Sequence, residues 1–132
     1  MRVAPVFAAI VVAAGCGGED PGRPEPAPPA KLTAQERRLL KTYEARIATH
    51  CVRVARSVVD RAAGPSPAQE RRAFEAADAL AALVASKPTA PVDVGQDLRL
   101  YLSDVVENIE GSNCDPRMVS RLEGALQAIP VE

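Results

Sequence analysis

Leu32-Thr33-Ala34-Gln35-Glu36-Arg37-Arg38-Leu39-Leu40-Lys41-Thr42-Tyr43-Glu44-Ala45-Arg46-Ile47-Ala48-Thr49-His50-Cys51-Val52-Arg53-Val54-Ala55-Arg56-Ser57-Val58-Val59 is the stretch that decides the fold. Leu40, Tyr43, Ile47, Cys51, Val54 and Val58 recur at steps of three and four, the spacing of one helix face. Thr33 and Glu36 form a capping box: the hydroxyl accepts an orphan N–H and the carboxylate reaches back to the cap. Leu32 before the cap is placed to staple the first turn. Arg38, Lys41, Arg46, Arg53 and Arg56 fall on the opposite side. The pair Gly64-Pro65 is the predicted stop.

Three more helices are predicted outward from this one. Ser66-Pro67 is a cap followed by proline at the first turn. Ala73, Ala77, Leu80, Ala81 and Val84, with Phe74 beside them, make an alanine-rich inner stripe that asks for a close helix neighbour. Lys87-Pro88 stops it and Pro88 to Pro91 reads as a loop. The third helix is expected from Val92 or Asp93, with Leu98, Tyr101, Leu102, Val105 and Ile109 inward. Gly111 to Cys114 is a turn. Asp115-Pro116 starts a fourth helix carrying Met118, Val119, Leu122, Leu126 and Ile129. Gly124 inside it costs about 1 kcal/mol against alanine, which a close helix contact would explain. No alternating strand pattern is visible. The expected fold is all-α, a small antiparallel four-helix bundle with short connections, spanning residues 32–132.

The segment before the bundle is of another kind. Met1-Arg2 carries a positive charge, and Val3 to Ala14 is apolar but shorter than the ~20 residues needed to span a bilayer. A charged start, an apolar centre and a small-residue end make a secretory signal over 1–15. Ala13-Ala14-Gly15-Cys16 resembles the lipobox of bacterial lipoproteins, departing from it at Ala13, where leucine is commonest. The resemblance implies cleavage before Cys16 and lipidation of its thiol, with a palmitate-type acyl load. It covers the signal alone. The competing reading is cleavage after Ala14, which leaves Cys16 a free thiol in a secreted protein. Residues 16–31 follow as a tether rich in proline (Pro21, Pro24, Pro26, Pro28, Pro29), expected to be extended and without a fold, reaching on the order of 40 Å.

With Cys16 spent on lipid, Cys51 and Cys114 remain of three cysteines. In an oxidising compartment an even pair tends to join. Such a bridge would close a loop of about 64 residues and stabilise by about 4 kcal/mol. Two independent buried thiols are the alternative. A redox-active pair lacks the Cys-x-x-Cys spacing.

Composition narrows the function. The chain is 132 residues with 47% hydrophobic and 25% charged residues and a net charge of −1. No overall basic field points to nucleic acid, and few aromatics are present to stack bases or sugars. His50 is the only histidine; with Tyr43 seven residues earlier on nearly the same helix face, about 10 Å along the axis, it is the candidate ligand pair for haem. The alternative is a histidine at the edge of the packing face. Asp93, Asp97, Asp104, Glu107 and Glu110 fit one solvated helix face rather than a metal or catalytic cluster. No catalytic motif, cofactor site or metal site is read. Residues 31–61 hold eight basic and three acidic residues, whereas 88–132 hold three basic and eight acidic.

The functional expectation is a lipid-anchored cell-envelope protein, exported to the outer face of the bacterial membrane. Its helical domain would act as a binding or structural module and not as an enzyme. The anchor's lipid is its membrane partner; an envelope protein, or an anionic wall polymer or lipid surface facing helix one, is the further partner. The alternative is an extracytoplasmic carrier of haem or a small apolar ligand.

Overall fold

A computed structural model describes residues 30–130. The signal, Cys16 and all of the tether before Ala30 lie outside the described residues. Four helices carry the fold: α1 (Ala34–Val59), α2 (Pro67–Ser86), α3 (Leu98–Glu110) and α4 (Pro116–Gln127).

Each helix begins where a side chain can serve its free N–H groups. Thr33 and Ser66 close full capping boxes with Glu36 and Gln69. Asp97 accepts from Leu100 N at 2.9 Å and Asp115 from Arg117 N at 3.0 Å. Such caps contribute about 1 kcal/mol each. The caps expected at Thr33, Ser66 and Asp115 are all in place.

The expectation of helix from Val92 or Asp93, and of no strand, is corrected. Pro91–Asp93 (β1) and Gln96–Asp97 (β2) form an antiparallel two-stranded hairpin, with Pro91 opposite Asp97 and Asp93 opposite Gln96. Gly95 makes its turn at φ +73°, where a side chain would be strained. Strands of three and two residues are too short to show alternation. Asp97, four residues beyond the expected start, then caps α3.

Helix α1 also ends earlier than Gly64-Pro65 implies. Asp60 caps it and Arg61 follows at φ 54°. Val58, placed inward by periodicity, is 76% exposed, because α1 overhangs its neighbours there. Gly124 has no atom within 4 Å of where a Cβ would stand, so no close contact explains it.

The core joins all four helices. Leu40 and Ile47 of α1, Ala73, Ala77, Leu80 and Val84 of α2, Leu98, Leu102 and Val105 of α3, and Met118 and Leu122 of α4 are buried in one cluster. Each fully buried leucine or methionine contributes roughly 1.5–3 kcal/mol. Ala73, Ala76 and Ala77 are buried where α2 lies along α1, the most extensive helix contact in the domain.

Direction follows from the cross-links. Lys87 at the end of α2 bonds Glu36 at the start of α1 at 2.7 Å, so these two helices are antiparallel. Arg117 and Arg121 of α4 pair with Glu70 and Asp78 of α2 in the same order, so α2 and α4 are parallel. α2 packs on every other helix, whereas the backbones of α1 and α4 do not approach each other. A square up-and-down arrangement would put α4 beside α1; here it lies across α2 from it.

Candidate functional site

The far corners are joined at one end of the domain. Cys51 of α1 and Cys114 of the α3–α4 turn form a disulfide with a sequence separation of 63. Their chain neighbours meet as well: His50 Nε2 lies 3.0 Å from Asp115 Oδ2. Two successive α1 residues thus grip two successive turn residues, one pair covalently and one by a hydrogen bond.

The His50–Asp115 pair is inside the protein. His50 is 0% exposed and Asp115 5%. Asp115 also accepts from Arg117 Nε at 3.1 Å and from Arg117 Nη2 at 2.7 Å. Arg117 is the main cause that holds the Asp115 carboxyl down at about 2; His50 adds to this, and together they outweigh burial. An ionised Asp115 can only accept, so Nε2 carries the hydrogen. His50 Nδ1 is then buried without a partner. Phe74 covers the pair, its ring edge-on to His50 with centroids 5.5 Å apart. Arg117 and Arg121 lie over Phe74 at 5.3 and 4.8 Å. Arg117 continues to Glu70, and its guanidinium is pushed far above its ordinary value by these carboxylates, Asp115 first.

Tyr43 and His50 are not brought to a common cavity. Tyr43 is half-buried at the edge of the core and His50 has Nε2 committed to Asp115. His50 is therefore a core residue and not the packing-edge residue expected. Its buried position was hidden because its partner lies 65 positions away. One signal was available: if Cys51 joins Cys114, His50 and Asp115 must also come close. The acidic residues of the α3 region stay apart. Asp97 is a cap and Asp104 accepts from Gln96 at 2.6 Å. Among the described residues no group of three or more His, Cys, Asp or Glu could hold a metal ion.

Two of the surface depressions flank α1. A groove of about 620 Å³ runs along the α1–α2 seam, lined by Thr42, Arg46, Thr49 and Arg53 from α1 and by Gln69 and Arg72 from α2, above small Ala45 and Ala73. None of Arg46, Arg53 and Arg72 makes an ion pair among the described residues. The periodicity of α1 exposes Arg46 and Arg53, but Gln69 and Arg72 join them only through packing. An apolar cleft of about 320 Å³ lies on the other flank of α1, between Ala48, Val52, Ala55 and Ile109, beside the disulfide.

No described helix is long and apolar enough to cross a membrane. Comparison with family models, with curated proteins and with solved structures finds no match for this chain.

Proposed function

We propose that the chain is a lipid-anchored protein of the bacterial cell envelope whose disulfide-braced helical domain is a binding or structural module and not an enzyme. The observation that carries this reading is the Cys51–Cys114 disulfide. It accounts for two of three cysteines and leaves Cys16, at the lipobox-like end, as the odd one. Disulfides belong to oxidising compartments, which agrees with export. In the sequence the proline-rich stretch stands between Cys16 and the first helix at Ala34, where a spacer from a membrane surface belongs.

Metabolic labelling with a clickable palmitate analogue, followed by mass spectrometry of the mature N-terminus, tests it. The expected result is label on the wild type at Cys16 and none on Cys16→Ser. A mature chain beginning at Gly15 or Cys16 without acyl mass overturns the anchor.

A second reading, a carrier of a small apolar ligand, has the cleft beside Ile109 in its favour, since about 300 Å³ is the lower bound for ligand pockets. Haem is the less suited ligand, because neither Tyr43 nor His50 lines that cleft. Fluorescence of a small apolar dye, quenched by Val52→Glu, is its measurement; no dye binding discards it.

A further inference from the structure

We propose that the α1–α2 groove is a binding site for a phosphate ester, with Arg46, Arg53 and Arg72 as its anion-holding residues. The inference deepens the binding-module reading by naming a ligand class, but it needs only the folded domain and not the anchor.

The first argument is the contrast with the other cationic groups that tie helices together. Arg117 has Asp115 and Glu70, Arg121 has Asp78, and Lys87 has Glu36. Arg46, Arg53 and Arg72 gather on one groove with no carboxylate partner among the described residues. Three cations in one groove repel one another, and an anionic ligand would remove that cost. Glu44, the α1 carboxylate between Lys41 and Arg46, is already taken by the Tyr101 hydroxyl at 2.5 Å.

The second argument is the kind and placement of the donors. Guanidinium groups are rigid forks that fit phosphate oxygens and carry charge at every relevant pH. Thr49 and the Gln69 amide add neutral donors; Gln69 Oε1 accepts from the Ser66 N–H, leaving Nε2 uncommitted. Arg46 and Arg53 stand two turns apart, a rise of about 10 Å, and Arg72 faces them from the second helix. Donors on two walls suit a tetrahedral group with several acceptor oxygens better than a planar carboxylate. The length of the seam suits a ligand with two or more negative charges. Small Ala45 and Ala73 leave the floor open to it.

Calorimetric titration of the full chain with pyrophosphate, and co-sedimentation with phosphatidylglycerol vesicles, test the proposal. Arg46→Ser/Arg53→Ser/Arg72→Ser should weaken binding by at least about tenfold. Arg38→Ser/Arg56→Ser/Arg71→Ser removes the same charge from outside the groove and should change it by less than about threefold. Pyrophosphate competing for vesicle binding places the lipid headgroup in the groove. Pyrophosphate binding without vesicle binding assigns the groove to soluble phosphate esters. Equal losses in the two triple variants, citrate binding as tightly as pyrophosphate, or no binding to either probe overturns the proposal. Repeating the titration on Cys16→Ser separates its failure from failure of the anchor. Circular dichroism confirms that both variants, altered only at surface side chains, remain folded.

Discussion

The two seams that α2 forms, with α4 and with α1, use the same residue type in opposite ways. Along α4, arginines are neutralised: Arg117 reaches Asp115 and Glu70, Arg121 reaches Asp78, and both cover Phe74. That seam supplies its own counter-charges, and they order the corner around His50 where α2 and α4 begin. Along α1, Arg46, Arg53 and Arg72 meet no counter-charge, and alanines keep the helices close beneath an open groove. An arginine fastens helices where the fold supplies its anion; where it supplies none, as at Arg46, Arg53 and Arg72, the charge stays unmatched along the groove.

Breaking the charge-matched side should produce the largest effects. Reduction of the disulfide, or Cys51→Ser/Cys114→Ser, releases a 63-residue separation and should lower stability by about 4 kcal/mol, seen in the denaturant midpoint. An unchanged midpoint would show that His50–Asp115 holds the corner alone. Next is Asp115→Ala, which removes a cap and strips a buried partner from His50; a loss of about 3 kcal/mol is expected in thermal melts.

Acid should reach the same corner. The Asp115 carboxyl is held at about 2, below its unfolded value near 3.9, so its contribution is complete above about pH 4. It should be lost as pH falls from about 4 through 2, amounting to on the order of 1–2 kcal/mol. Melting temperatures across that range should fall less steeply in Asp115→Asn than in the wild type.

The smallest effect sharpens the contrast most. Arg121→Ala should cost up to about 1 kcal/mol through its exposed pair and its place over Phe74. Arg72→Ser should leave stability within about 0.5 kcal/mol of the wild type, as for surface sites without partners. Equal losses at both positions would erase the distinction between the seams.

Much of this architecture was legible along the chain. The caps at Thr33, Ser66 and Asp115 and the inward stripes of α2 and α4 are local features, read from spacings of three and four. Val58 misled because periodicity says which face a residue occupies, not whether a neighbour extends far enough to cover it. The hairpin was missed because five residues in two strands carry too little pattern, and Asp97 resembles any other acid until its carboxylate meets Leu100 N. Of the site residues, Cys51 and Cys114 were paired by parity, whereas the burial of His50 could be approached only indirectly, through its place beside that pair.

Local order, the starts of α1, α2 and α4 and the identity of the bridging cysteines were thus determined by the amino-acid sequence itself, since capping and amphipathic spacing act within a few residues. Which helices touch was decided only in three dimensions. α4 lies across α2 from α1, His50 finds Asp115 at a separation of 65, and Arg72 joins Arg46 and Arg53 on one groove. Those outcomes depend on how apolar faces of unequal length fill a shared core, and no window along the chain contains that information.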